Sequence, residues 1–149
     1  MAAFVLIFTI PMVRIYINSG MNMSGLVSMP VALADWTASR AAAVWPLVAP
    51  FVGALGAFIA GSNTVSNLMF VEFQNSVATN LGLSNVLMVS LQAVGAAAGN
   101  MIAIHNVVAV SAVVGFMGKE GTFLRRAIIP TLYYLFLAGI LGLIFAKLG

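Results

Sequence analysis

Residues 61–67 read Gly-Ser-Asn-Thr-Val-Ser-Asn, a polar stretch in a chain of 149 residues that is 62% hydrophobic. At membrane depth, backbone can leave the helical conformation only where it is buried in protein or lines a water-filled cavity. Hydroxyl, amide and free backbone groups at such a place are by default a ligand or ion site. The stretch therefore predicts a binding site inside a membrane, and it determines how the flanking segments are interpreted.

Composition excludes several classes of protein. Only 6% of the residues are charged, against about 25% in a soluble domain, so much of the surface has to face lipid. The chain has no cysteine and a net charge of +3 from scattered basic residues, which indicates neither a thiolate metal site nor a nucleic-acid surface. No Ser/His/Asp set, metal-ligand spacing or phosphate-binding loop occurs. We therefore expect no enzyme activity, no catalytic residue, no metal and no cofactor.

The apolar segments predict an all-α integral membrane protein, because about 20 apolar residues cross the hydrocarbon core. Residues 1–20 are assigned to a membrane helix interrupted by Pro11. Residues 21–43 predict an interfacial helix, with Trp36 suited to the headgroup boundary. Residues 126–147 are the last membrane helix.

Residues 44–80 predict a re-entrant helical hairpin with the polar stretch at its tip. The distance from Pro50 to Gly61 along a helix is roughly 17 Å, about half a bilayer. The returning arm carries Asn67, Glu72 and Gln74, so it is too polar to face lipid. The alternative is one spanning helix over 44–60 followed by a loop.

Residues 82–117 predict a discontinuous membrane helix that is unwound near Gly99 and Asn100. His105 and Asn106 follow closely and favour a polar break. The alternative is a straight helix that uses Gly95 and Gly99 as a close-packing face.

A basic cluster after this helix predicts the orientation in the membrane. The loop between the helices predicted over 82–117 and 126–147 is assigned to the cytoplasm, because cytoplasmic loops carry an excess of basic residues. The basic residues at this loop are Lys119, Arg125 and Arg126. The hairpin would then enter from the outer face, and the C-terminus would lie outside.

Three stretches resemble the L-lactate permease family: residues 61–70 followed by Gln74, residues 95–102, and residues 114–121. They occur in order within a similarity that runs from about 18 to 144. The resemblance implies a multi-pass protein of the prokaryotic plasma (inner) membrane that takes up lactate, and often glycolate, with protons as the coupling ion and sodium as the alternative. The Ser62-Asn63-Thr64 triplet is also similar to a signature of elevator-type carboxylate transporters. The chain would then be one half of an inverted-repeat transporter.

Two departures from the family accompany this resemblance. Family members are usually much longer, so the chain is expected to be a C-terminal portion, with the N-terminal remainder of the permease as a partner. Some members have Ser-Pro-Gln where this chain has Ala103-Ile104-His105. The other expected partners are a small carboxylate, membrane lipid and a second copy of the chain, and nucleic acid is not among them.

The predicted substrate-binding residues supply donors or allow close backbone approach. Hydroxyl and amide donors suit a carboxylate, and the positive end of the returning arm favours an anion; the alternative is that these residues only cap helices. The set is Ser62, Asn63, Thr64, Asn67, Gly95, Gly99, Asn100, Ser19 and Gly20.

Glu72 and His105 are candidates for the proton-coupling group. Burial raises the pKa of a carboxyl group, and histidine titrates near neutrality. The alternatives are a carboxylate near the outer end of the hairpin and a histidine that forms hydrogen bonds between helices.

Three functions remain open: uptake of lactate-like 2-hydroxy monocarboxylates, transport of gluconate or a dicarboxylate, and a membrane subunit that transports nothing. A dicarboxylate normally requires a second cluster of donors. No Lys or Arg lies between Arg40 and Lys119, which favours a small monoanion.

Overall fold

The computed structural model describes residues 2–148 and, within them, the side chains of Ile7 and residues 10–148. Every described element is a helix, which confirms the all-α prediction. The helices are α1 (Ala2–Ile17), α2 (Met29–Ala41), α3 (Trp45–Ala60), α4 (Asn63–Leu81), α5 (Asn85–Asn100), α6 (Ile104–Val113) and α7 (Glu120–Leu148). Short 3₁₀ turns at Asn18–Gly20 and Ala42–Val44 follow α1 and α2.

Within residues 2–148, three stretches are long and apolar enough to cross a membrane: Met29–Ala60, Asn85–Val113 and Glu120–Leu148. The first joins α2 to α3 across the 3₁₀ turn, whereas the sequence predicted an interfacial helix followed by a separate hairpin arm. The chain is therefore an apolar helical protein suited to a membrane.

The observed helix bounds differ from the predicted ones where local hydrogen bonds compete. The helix predicted over 21–43 is confined to Met29–Ala41, because the Asn22 side chain accepts from the N–H groups of Ser24 and Leu26 and folds that segment into a loop. The last helix begins at Glu120 instead of residue 126, since the Glu120 carboxylate accepts from the Gly118 N–H at 3.0 Å. The first helix continues through Pro11 and ends at Ile17.

α3 lies at the centre and packs against α4, α5 and α7. Glycines make the closest approaches: Gly95 of α5 faces the backbone of Pro50, and Gly99 faces that of Ala54. On the other side, a Cβ added to Gly139 of α7 would lie 2.6 Å from the Leu47 carbonyl oxygen. Small residues allow such contacts between membrane helices, where lipid supplies no hydrophobic drive for association.

The main buried cluster joins α2, α3, α4 and α5. Within it, the rings of Trp45 and Phe73 pack edge to face with centroids 5.6 Å apart, a favourable aromatic geometry. Its members are Ala34, Trp45, Ala49, Phe73, Val77, Ala78, Met88 and Leu91. This core packs the first turns of α3 against the second half of α4. The connection between the two helices lies outside the core, at the opposite end of the pair.

Candidate substrate site

The connection between α3 and α4 is only two residues long, Gly61 and Ser62. Gly61 has a φ of 67°, a left-handed conformation that favours glycine and ends α3. Its N–H still donates to the Ala57 carbonyl at 2.8 Å, as in a regular helix. Ser62 is the N-cap of α4, where its hydroxyl accepts from the Val65 N–H at 3.3 Å. The polar stretch is thus the tip of a tight helical hairpin.

A second interruption lies between α5 and α6. Residues 101–103 lie between the two helices, directly after the predicted break at Gly99 and Asn100. The Asn106 amide donates to both the backbone and the side-chain oxygen of Asn100, each at 3.0 Å, and so bridges the break. Ala103, the N-cap of α6, makes no side-chain cap bond, and this leaves N–H groups of the first turn of α6 available.

The hairpin tip between α3 and α4 contacts the segment that follows the break between α5 and α6. A Cβ placed on Gly61 would lie 2.7 Å from Nδ1 of His105, so the imidazole lies directly against the hairpin tip. His105 is the second residue of α6. The N-terminal turns of α4 and α6 therefore lie at the same place, and both carry partial positive charge.

The triplet after the tip is accessible. Ser62 and Asn63 are half-buried and Thr64 is exposed. Asn67 lies one turn further, where its amide donates to Oδ1 of Asn63 at 3.1 Å. Its own Oδ1 is buried and has no hydrogen-bond partner in the described part of the chain. These four residues supply hydroxyl and amide groups on the first two turns of α4.

A cavity of about 440 Å³ lies beside this arm. It is lined by Ile17 at the end of α1 and by Thr64, Asn67, Leu68, Val71 and Glu72 of α4. Glu72 is exposed here and lies two turns from Thr64. The structure thus brings one proton-coupling candidate, His105, to the tip and leaves the other, Glu72, further along α4.

A second cavity, of about 330 Å³, lies between the break, α6 and α7. Its polar lining includes Asn100, Asn106 and the buried Ser111, and the rest is mainly apolar, with Phe123 contributed by α7. Of the predicted site residues, only Asn100 lines it.

Four predicted site residues have structural roles in the fold. Gly95 and Gly99 are buried inside α5 against the α3 backbone, the packing that the alternative interpretation described. The Ser19 hydroxyl donates to the Tyr16 carbonyl and accepts from the Met29 N–H, both at 2.7 Å. Gly20 packs against Ser28. Ser19 and Gly20 therefore form the turn between α1 and α2.

A buried amide chain connects α3, α4 and α5, and sequence reasoning did not identify it as part of the site. Gln74, Gln92 and Ser66 are each fully buried. Trp45 Nε1 donates to Gln74 Oε1 at 3.0 Å, Gln74 Nε2 donates to Gln92 Oε1 at 3.2 Å, and Gln92 Nε2 donates to Ser66 Oγ at 3.3 Å. The available signal was the presence of two glutamines in otherwise buried membrane helices, where polar side chains require partners.

Within the described residues, no cluster of three or more His, Cys, Asp or Glu side chains could hold a metal ion. The tip and the break carry helix N-termini, hydroxyl groups and amides, which are groups that can donate hydrogen bonds to a small oxyanion.

The chain matches the family model for L-lactate permease over residues 1–149. It is 46% identical over 101 residues to a Haemophilus influenzae protein provisionally named an L-lactate permease, covering 68% of this chain and 19% of that protein. It is 34% identical over 121 residues to the L-lactate permease of Salmonella typhi, covering 80% and 21%. It is also 31% identical over 101 residues to the glycolate permease GlcA of Escherichia coli (strain K12), covering 68% and 18%.

The chain spans about a fifth of the length of these relatives. No solved structure matches it. The relatives are named as transporters and not as enzymes. The match over the whole length and the similarity to several named permeases show that this chain belongs to the L-lactate permease family.

Proposed function

We propose that the chain contributes the substrate-binding part of a secondary transporter that takes up lactate and similar short 2-hydroxy monocarboxylates, such as glycolate. The transporter would be a multi-pass protein of the prokaryotic plasma (inner) membrane. It would work by proton symport with an elevator-type movement, with α3 and α4 as a re-entrant hairpin. The observation that carries this proposal is the contact between the hairpin tip and the start of α6.

The carboxylate of the substrate would bind where α4 and α6 begin. Both helix N-termini favour an anion, and Ser62, Asn63 and Thr64 add hydroxyl and amide donors next to them. Among the two proton-coupling candidates, His105 is the better placed, because it lies against the tip. Histidine side chains commonly act as proton carriers in proteins.

A sodium-coupled transporter of gluconate or a dicarboxylate is the second candidate. Among the described residues, Asn67 Oδ1 has no hydrogen-bond partner. This favours a cation beside the tip, since amide oxygens are ligands for hard cations. Against a dicarboxylate, no Lys or Arg lies between Arg40 and Lys119. Competition of labelled lactate uptake by glycolate, gluconate and succinate separates these substrates, and replacing sodium in the medium separates the ions.

Substitution of the triplet tests the proposal in a full-length permease that carries these residues. Asn63→Ala and Thr64→Ala should each abolish uptake of labelled lactate while the amount of protein in the membrane is unchanged, because each removes a donor from the tip. Thr79→Ala is the matched control, since Thr79 is an exposed hydroxyl at the far end of α4. Undiminished uptake in both tip variants would remove the triplet from the mechanism.

A further inference from the structure

We infer that Gln92, acting through Ser66, is a positioning residue that holds the hairpin tip in register with α5. The hairpin and α5 would then move as one body during transport, and the hairpin would not swing open alone. This inference rests on the proposed function, because the register of the tip affects transport only if the tip binds substrate.

The bonds of the buried amide chain all cross between helices. Trp45 of α3 donates to Gln74 of α4, Gln74 donates to Gln92 of α5, and Gln92 donates back to Ser66 of α4. Ser66 Oγ then donates to the Gly53 carbonyl of α3 at 2.8 Å. Four consecutive bonds therefore connect the two arms of the hairpin to each other and to α5.

Ser66 lies directly behind the tip. Its N–H donates to the Ser62 carbonyl at 3.0 Å, so a displacement of Ser66 is passed to the N-cap of α4. On its other side, Ser66 Oγ is packed against Gly56 of α3 so closely that a Cβ there would collide with it. The hydroxyl is thus fixed from both sides, and Gln92 is its link to α5.

The donors and acceptors of the buried amide chain match in only one register of α4 on α5. The Gln92 amide accepts through Oε1 and donates through Nε2, and both atoms are used. A slip or rotation of α4 on α5 would leave buried amide groups unpaired in an apolar interior, which is strongly unfavourable. Glycine packing already holds α5 to α3, so the contribution specific to Gln92 is the position of α4.

Transport kinetics in a full-length permease that carries these residues test this role. Gln92→Leu and Ser66→Ala should each raise the KM for lactate uptake at least about tenfold, equivalent to roughly 1.4 kcal/mol, while Vmax and membrane content stay within about twofold. The matched control is Thr131→Val, which removes a fully buried hydroxyl that bonds only within α7, to the Ala127 carbonyl at 2.7 Å. The control should leave KM unchanged.

A rescue variant separates positioning from packing. Gln92→Glu in its protonated form keeps one donor and one acceptor, so its KM should lie closer to that of the unmodified protein than the KM of Gln92→Leu. Equal KM values for the Leu variant and the unmodified protein, with only a lower melting temperature, would overturn the inference. If Gln92→Leu does not fold, Ser66→Ala decides in the same way.

Hydrogen–deuterium exchange gives a readout that does not depend on lactate. Backbone amides of residues 63–66 should exchange faster in Gln92→Leu or Ser66→Ala than in Thr131→Val, and unchanged exchange would contradict the positioning role. An unmodified permease without saturable lactate uptake would instead refute the proposed function. The two failures are therefore distinguishable.

Discussion

At the residue scale, Gly61 has two separate reasons to be glycine. Its φ of 67° is disfavoured for any residue with a Cβ, and a Cβ would also lie 2.7 Å from Nδ1 of His105. Gly82, at the other end of α4, shares only the first constraint: its φ is 64° and no atom lies within 4 Å of the Cβ position. The chain thus contains a natural pair that separates backbone strain from contact with α6.

We predict that Gly61→Ala and Gly82→Ala each reduce the free energy of unfolding by roughly 1–2 kcal/mol, the penalty for a left-handed L-residue. Only Gly61→Ala should also impair lactate uptake, because only there does the new methyl group displace His105. Melting temperature in detergent and initial uptake rate in a full-length permease measure the two effects. Equal uptake by the two variants would show that the contact between Gly61 and His105 has no part in transport.

The interruption of the helices at Gly61 and Ser62 was predictable from the sequence, because a polar run with a glycine is unusual inside an apolar chain. The partners of its side chains were not. The bond between Asn67 and Asn63 follows from their spacing of one helical turn, whereas the contact of His105 with the tip depends on how α6 is oriented after the break.

At the element scale, α5 packs on α3 through Gly95 and Gly99. The sequence left two roles open for these glycines, an unwound break or a close-packing face, since small residues serve both. Here α5 remains helical through Asn100 and the break follows at residues 101–103. The contact of Gly99 with Ala54 explains why the helix continues through Gly99 and Asn100.

We predict that Gly99→Ala lowers the free energy of unfolding by about 1–3 kcal/mol, the range for overpacking a tight interface. Gly121→Ala is the control, because Gly121 is a helical glycine of α7 with no atom within 4 Å of its Cβ position. Thermal unfolding in detergent checks both variants. A Gly99→Ala protein of unchanged stability but with a raised KM for lactate would instead place Gly99 in the binding site.

At the scale of the whole molecule, the hairpin formed by α3 and α4 and the helix α6 differ in the contacts that fix their positions. The hairpin is bound to α5 by buried amides and close glycine contacts, whereas α6 packs chiefly against α7. The all-helical class and the two interruptions follow from composition and from polar residues along the chain. The amide chain could not be predicted, because the pairing of Gln74, Gln92 and Ser66 depends on which faces three helices turn to one another.

The central claim is that the start of α4 binds a small carboxylate, and substrate protection tests it most directly. Cysteine is absent from this sequence, so Leu68→Cys and Thr79→Cys introduce single labelling sites, about 16 Å apart along α4, into a full-length permease cleared of other cysteines. Leu68 is exposed one turn beyond Thr64 and is not a predicted donor to the substrate. We expect saturating L-lactate to slow maleimide labelling at position 68 and to leave position 79 unaffected. Labelling at position 68 that lactate does not change, in a variant that still takes up lactate, would contradict the claim.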